Sequence, residues 1–257
     1  MIAPPGFRAR TRGAETVWLR EGAEGFLAER GLDAVAVALA LPGEARGRLK
    51  SLVRLEDPPL FVKRWHFDAL EVALRGALKL NVPRFSAFGE LANLLALQGA
   101  GFRVPAPLAA GEERVGSRRR RFVALAELAG APLASLPDEA LEPLAAELGA
   151  TVRRLHDAGF CHRDLYLENV FWDPDRGLGL LDCERVFRRR RLRRRWVVKD
   201  LAALASSARG SRAARVRFWR AYCRTARPTP GTRALARWVL RKAERLRSHG
   251  LKGPRAD

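Results

Sequence analysis

The stretch that decides the reading is His162-Arg163-Asp164-Leu165-Tyr166-Leu167-Glu168-Asn169. It is a short polar sentence between two regular ones. Upstream, Pro137-Asp138 opens a run in which Leu141, Leu144, Ala145, Leu148, Val152 and Leu155 recur at the helical period, until Gly159 stops it. Downstream, NVFW, DPDRG and LGLLD read as strand, turn and strand, closing on Asp182. A long helix therefore delivers the chain into a charged loop, and a hairpin carries it away.

The spacing within that loop matches H-R-D-L-x-x-x-N, and the chemistry of phosphoryl transfer explains it. The attacking hydroxyl needs a carboxylate beside it, to orient it and accept its proton. A hard cation needs oxygen ligands a few residues on, where the chain turns back into a strand. Asp164 is the expected base, with Asn169 and Asp182 as the expected magnesium ligands. Asp182 begins Asp182-Cys183-Glu184, at the place where a D-F-G triplet belongs in such an enzyme. His162 and Arg163 are expected to support the loop. The plainer alternative, an aspartate in an ordinary helix-to-strand loop, does not account for the asparagine in register or for the flanking elements.

Reading outward toward the N-terminus, AVAVAL from Val35, RLKSLVRL and PLFVKRW are expected as three short antiparallel strands. A short helix is expected within Phe67–Leu80. SAFGELANLLALQGAG then reads as a helix with Ser86 as its N-cap and Gly99 and Gly101 at its end. VPAPLAAGEE and RRFVALAEL are expected as two more strands around a basic turn at Arg118–Arg121. Lys63 ends the third strand and fits the strand-borne lysine that holds nucleotide phosphates, with Arg64 on the opposite face. Glu90 lies on the following helix and is the natural partner of Lys63. Pro42-Gly43-Glu44-Ala45-Arg46-Gly47 offers Gly43 and Gly47 for close approach to phosphates, although a plain hairpin turn accounts for the same residues.

Composition bounds the rest. With 257 residues and 47% hydrophobic content, the chain is long and apolar enough for a globular protein with a substantial core. The formal net charge of +20 concentrates anionic partners of any kind. Cys161, Cys183 and Cys223 are far apart without metal-type spacing, which fits a reducing compartment. The opening MIAPPGFRARTRG has basic residues but no apolar stretch behind them, so no secretory leader is expected. A cytoplasmic protein is expected, peripheral on the inner membrane if it meets lipid.

Two basic stretches stand out. Arg188, Arg189, Arg190, Arg191, Arg193, Arg194 and Arg195 follow the metal aspartate, on the substrate side of such a site. Arginine clusters suit phosphate and carboxylate groups, but a solvated loop has the same appearance. The segment Arg233–Arg247 sets Leu235, Trp238, Val239 and Leu246 among arginines. It suits either anionic lipid or packing on its own domain.

The order is thus a strand-rich half with one main helix, a connector near Glu127–Ala131, and a helical half with one hairpin. That is an α+β, two-lobed protein-kinase-like fold, with an antiparallel N-terminal lobe carrying the αC helix and a mainly helical C-terminal lobe. The expected organisation is a flanking arm at 1–33, an ATP-binding lobe at 34–127 and a catalytic lobe at 128–257.

HRDLYLEN, the LLDCER strand end and Arg193-Arg194-Arg195-Trp196-Val197-Val198-Lys199-Asp200-Leu201 together resemble the lipopolysaccharide kinase (Kdo/WaaP) family. That family pairs an HRD loop with a D-x-[DE/H]-R element and an RRW-x-x-KDL element. Phe85-Ser86-Ala87 with Glu90, and Val104-Pro105-Ala106-Pro107, resemble its αC helix and the strand after it. The resemblance runs from about residue 34 to about 225 and is most specific in the catalytic segment. It implies a membrane-associated kinase that uses ATP and Mg2+ to phosphorylate heptose or Kdo of the anionic lipopolysaccharide core. Lys63 would contact ATP, Glu90 would position Lys63, and Asp200 would brace the catalytic loop. Asn169 stands where the heptose-kinase branch tends to place histidine, and the basic segment is denser than the family's usual one. Nucleic acid is not an expected partner.

Rival readings share the same three oxygen-bearing groups. A small atypical (RIO-like) protein kinase or an antibiotic-type phosphotransferase would differ only in the acceptor. A non-catalytic basic protein on this fold, bound to membrane or nucleic acid, would have no need to keep them all.

Overall fold

The computed structural model describes residues 2–45, 50–68, 86–116 and 118–250. The chain divides into two compact units, residues 1–99 with 105–128 and residues 100–104 with 129–257.

The first unit is built on a seven-stranded antiparallel sheet. Its strands are β1 (Phe7–Arg12), β2 (Glu15–Arg20), β3 (Glu44–Ala45), β4 (Lys50–Leu55), β5 (Leu60–Asp68), β6 (Pro107–Val115) and β7 (Arg118–Ala126). Their spatial order is β1-β2-β6-β7-β5-β4-β3. Two sequence expectations are corrected here. Residues 1–33, expected as a flanking arm that docks on the main body, are part of the sheet itself: β1 and β2 form the hairpin that extends it beyond β6. Val17, Leu19 and Leu27 are fully or almost fully buried in the core of this unit. The hairpin escapes a composition reading because β1 is an edge strand whose Arg8 and Arg12 face water, as charged edge residues commonly do.

The second correction is AVAVAL. Val35–Ala40 is a helix, α2, following α1 (Glu24–Glu29). Its six residues are all apolar, so neither a two-residue nor a 3.6-residue period can be read from them. Tertiary contacts decide: Val35 and Ala38, one helical turn apart, are buried against the sheet, and the Val35 N–H donates to Glu15 Oε2 at 2.6 Å. Arg64 secures the other end. Its guanidinium donates to the carbonyl oxygens of Leu39 (3.0 Å) and Leu41, which a helix leaves unsatisfied at its C-terminus.

Helix α3 (Ala87–Gly99) lies against this sheet through Phe88, Leu91, Leu94 and Leu97. Ser86 caps it, its Oγ accepting from the Gly89 N–H at 3.3 Å. Glu112 of β6 holds the same turn, accepting from Ser86 Oγ at 2.6 Å and from the Ala87 N–H at 2.8 Å. The carboxylate also complements the positive end of the helix dipole. The helix expected within Phe67–Leu80 falls on β5 at Phe67 and Asp68, and the remainder lies outside the described residues.

The second unit carries helix α4 (Asp138–Asp157), a three-stranded sheet of β8 (Ala131–Pro132), β10 (Val170–Asp173) and β11 (Gly177–Leu180), and a small ladder of β9 (Phe160–Cys161) with β12 (Phe187–Arg188). Helices α5 (Arg194–Ser207), α6 (Arg212–Cys223) and α7 (Pro230–Gly250) follow. Gly149 of α4 allows α6 to approach closely, since a Cβ there would lie 2.3 Å from the Phe218 carbonyl oxygen. α7 packs through Val239 and Ala243, while Trp238 remains 47% exposed. Among the described residues, no helix is long and apolar enough to cross a membrane.

Candidate active site

In the first unit, Lys63 Nζ donates to Glu90 Oε1 at 2.7 Å. The two side chains are 10% and 1% exposed, so the pair is withdrawn from bulk water. Its geometry follows from the fold: β5 presents Lys63 on one face and Arg64 on the other, and the capped first turn of α3 aims Glu90 at the sheet. Gly43 has a packing reason of its own. A Cβ there would lie 2.5 Å from Val53 Cγ2 and 2.8 Å from Arg64 Nη2, so only glycine fits. Gly47 lies outside the described residues.

In the second unit the catalytic-loop residues are held by a buried carboxylate. Asp200, on α5, accepts from the backbone N–H of His162 and of Arg163, each at 2.7 Å. Its Oδ2 also lies 3.3 Å from His156 Nε2, and His156 Nδ1 lies 2.8 Å from the Tyr222 hydroxyl. Burial alone would raise the Asp200 pKa. The hydrogen bond and electrostatic interaction with His156, together with the His162 N–H, outweigh it and hold the carboxyl below its ordinary value. Arg163 sits at φ +75°, a conformation that costs a non-glycine residue energy and persists because its own N–H and that of His162 are pinned by Asp200.

His162 is completely buried, with Asp200, Asp182 and Asp164 all near enough to act on it. Burial dominates these carboxylates and lowers its pKa, so the ring is neutral at neutral pH. The ring thus marks the point around which the three aspartates are arranged.

Asp164 and Asn169 are tied within the loop: Asn169 Nδ2 donates to the Asp164 carbonyl oxygen at 2.8 Å, which leaves the amide oxygen to serve as a ligand. The Leu181 N–H donates to the Asn169 carbonyl oxygen at 2.9 Å, bringing the chain that enters Asp182 alongside Asn169. Asp182 adopts φ +56° and turns the chain into a short 3-10 helix, Cys183–Arg185. That turn returns Arg185 to Asp164. Its Nη1 donates to Asp164 Oδ1 at 2.8 Å and Oδ2 at 3.0 Å. Sequence reasoning gave Arg185 no role, although the arginine of the D-x-[DE/H]-R element was the available signal. It also left out His156 and Tyr222, whose contacts depend on the packing of α4 against α6.

The basic segment is exposed from Arg188 to Arg191 and from Arg193 to Arg195. Some of it has structural partners: Arg188 Nε donates to the Ala158 carbonyl oxygen at 3.1 Å, and Arg194 lies over the Trp238 ring at 3.7 Å.

A model of the lipopolysaccharide kinase (Kdo/WaaP) family matches residues 43–222, a range that holds Lys63, Glu90, the catalytic loop and Asp200. The chain belongs to the lipopolysaccharide kinase (Kdo/WaaP) family. A relative within reach of sequence comparison is the 3-deoxy-D-manno-octulosonic acid kinase of Photobacterium damsela subsp. piscicida, 34% identical over 61 residues. That match covers 24% of this chain and 25% of the relative, so it spans about a quarter of the relative's length. Among solved structures, WaaP in complex with acyl carrier protein is similar with a TM-score of 0.65 and 26% identity, over 90% of this chain and 98% of that one. The α+β, kinase-like fold of the Kdo/WaaP family is therefore the fold of this chain.

Proposed function

We propose that the chain is an ATP- and magnesium-dependent kinase that transfers a phosphoryl group to a sugar hydroxyl, of heptose or Kdo, in the lipopolysaccharide inner core. The observation that carries this reading is Asp164 in a loop whose backbone is held by Asp200 through two 2.7 Å hydrogen bonds, with the Leu181 N–H, just before Asp182, bonded to the Asn169 carbonyl oxygen. Asp164 orients the acceptor hydroxyl and receives its proton. Asn169, through its amide oxygen, and Asp182 supply a two-oxygen seat for Mg2+.

Among the described residues, no group of three or more His, Cys, Asp or Glu forms a closed metal cage. Magnesium keeps waters and nucleotide phosphates in its coordination sphere and is commonly held by one or two protein oxygens. When bound, the metal neutralises charge on the transferring phosphoryl group. Lys63 is the residue that would meet the nucleotide phosphates, with Glu90 fixing the direction of its ammonium group. Gly43 would lie against those phosphates, and the same role is proposed for Gly47.

A substrate in the membrane goes with a peripheral position on the cytoplasmic face of the inner membrane. The exposed arginines from Arg188 to Arg195, with the exposed apolar side chains of Trp238, whose ring Arg194 covers, and Leu240, supply the surface for it. The structural relative is a complex with an acyl carrier protein, and such a carrier is a candidate partner here, testable by co-purification.

The test is magnesium-dependent ATP turnover with and without deacylated lipopolysaccharide core sugars, with Asp164→Asn as the control. Sugar-stimulated turnover that the variant lacks is the expected result. Nucleotide binding without stimulation would move the acceptor to a protein or small molecule, and no nucleotide binding would leave a non-catalytic basic protein.

A further inference from the structure

We infer that Arg163, Arg185 and Lys199 form an anion subsite beside Asp164, which takes a carboxylate or phosphate carried by the acceptor sugar while its hydroxyl is presented to the base. This rests on the kinase reading above and adds to it the chemistry of the acceptor.

The case begins with how the three cations are placed. Arg185 spends one nitrogen, Nη1, on both oxygens of Asp164, and its other nitrogens have no protein acceptor among the described residues. Arg163 immediately precedes Asp164, and its φ of +75° is fixed by the hydrogen bond from its N–H to Asp200. Its guanidinium lies 5.9 Å from the centre of the Trp196 ring, and its Nε is buried with no hydrogen-bond partner among the described residues. Lys199 is the residue before Asp200 on α5, one helical turn beyond Trp196, and it is half-buried. It makes no hydrogen bond or ion pair with any described residue.

The charge balance then points to a missing anion. Asp200 is already committed to two backbone N–H groups and to His156, so it is not available to these side chains. Among the described residues, Asp164 is the carboxylate that acts on Lys199, against the two guanidinium groups of Arg185 and Arg163. The strain is visible at Lys199, whose pKa is lowered by burial first and then by the charges of Arg185 and Arg163, with Asp164 opposing. Gathering like charges in a half-buried place costs free energy unless an opposite charge relieves it. A braced loop does not need that arrangement, because Asp200 and Asn169 already hold the backbone. A planar carboxylate or a phosphate meets the requirement, since guanidinium groups pair with either through parallel N–H bonds.

The subsite therefore favours a sugar acid, or a sugar that already carries phosphate, over a neutral sugar. The rival source of the same chemistry is the nucleotide's own terminal phosphate, and the experiment separates them.

Binding is measured by titration calorimetry at low salt on the whole protein, as wild type, Lys199→Met and Lys199→Arg. The probes are 3-deoxy-D-manno-octulosonic acid, its methyl ester, mannose 6-phosphate and ATP with magnesium. The wild type is expected to bind the acid or the sugar phosphate at least tenfold more tightly than the ester. That gap is expected to close in Lys199→Met and to survive in Lys199→Arg, with ATP affinity unchanged throughout. The larger gap, for acid or for sugar phosphate, names the acceptor's anion. Equal binding of acid and ester, no detectable binding of any sugar, or a variant that loses ATP affinity while keeping the gap would each overturn the subsite. Turnover is read on the same preparations, which keeps the two proposals apart. An acid–ester gap without turnover on any core sugar sinks the kinase reading and leaves the subsite standing. Equal turnover on acid and ester sinks the subsite and leaves the kinase reading standing.

Discussion

Lys63 and Glu90 meet at 2.7 Å inside the first unit, with the Glu90 side chain only 1% exposed. A buried carboxylate at that distance compensates the ammonium charge, so removing Glu90 takes away a buried counter-charge. Breaking such a pair costs roughly 3–5 kcal/mol, whereas replacing both partners by apolar residues is often neutral. Glu90→Gln is therefore expected to lower the melting temperature and to raise the KM for ATP. The double variant Lys63→Met/Glu90→Leu is expected to recover most of the stability and none of the activity. Thermal melts of the two variants side by side check this, and a double variant less stable than the single one would contradict it.

Arg185 differs from that pair in being partly solvated, with side-chain exposures of 33% and 22% for Arg185 and Asp164. Exposed pairs are worth only about 0–1 kcal/mol of stability, so Arg185→Gln is expected to fold as well as the wild type. Its effect should fall on orientation. Both Asp164 oxygens are held by one guanidinium nitrogen, and small misplacements of a reacting group cost about 100-fold in rate. The expected outcome is a fall in kcat of about 10- to 100-fold with the KM for ATP unchanged, partly restored in Arg185→Lys. A purely structural arginine would instead shift the melting curve and leave kcat alone.

Acid sensitivity is expected in two windows. Burial holds the His162 pKa below its ordinary value of 6.5, so the unfolded chain takes up a proton more readily than the folded one as pH falls past that value. Stability is therefore expected to be highest above about pH 6.5 and to decline below it, down to the depressed folded pKa. Asp200 acts further down. Its folded pKa lies below the ordinary 3.8, so its contribution is fully present above that value and is lost as pH falls through the folded one. Urea midpoints measured from pH 7.5 to 5 should show the first slope in the wild type and a flatter line in His162→Gln. A flat wild-type profile over that range would rule the mechanism out.

The parts of this molecule that sequence makes legible are those with long or strict periodicity. Leu141, Leu144, Leu148, Val152 and Leu155 mark α4, and the strands around DPDRG are bounded by residues that only turns favour. Val35–Ala40 was not legible, because an unbroken apolar run fits a strand or a helix and the choice was made by Arg64 and Glu15 from elsewhere in the chain. The hairpin at Phe7–Arg20 was hidden by edge arginines that look like a solvated arm. At the candidate site, spacing located the carboxylates but not their partners. Arg185 reaches Asp164 only because Asp182 takes a left-handed conformation, and Tyr222 reaches His156 only through helix packing. A pattern along the chain carries no record of either.

Gly159 links the end of α4 to the segment that carries Arg185, and this gives a last test. It adopts φ +84°, its N–H donates to the His156 carbonyl oxygen at 3.0 Å, and its own carbonyl oxygen accepts from the Arg189 N–H at 2.8 Å. A Cβ at this position would lie 2.0 Å from the Arg189 carbonyl oxygen, which is backbone and cannot rotate aside. Gly159→Ala therefore suffers twice: the left-handed conformation costs about 1–2 kcal/mol for a residue with a Cβ, and Arg189 must be displaced. Because β12 joins Arg189 to the turn that holds Arg185, the displacement is expected to lower kcat as well as stability. Gly177→Ala is the control. It has φ +70°, but its Cβ would meet only Glu147 Oε1 at 3.2 Å, the far end of a flexible side chain. Both variants should lose stability in chemical denaturation, and Gly159→Ala alone should lose turnover. Equal turnover in the two would mean that the contact with Arg189 does not reach the catalytic loop.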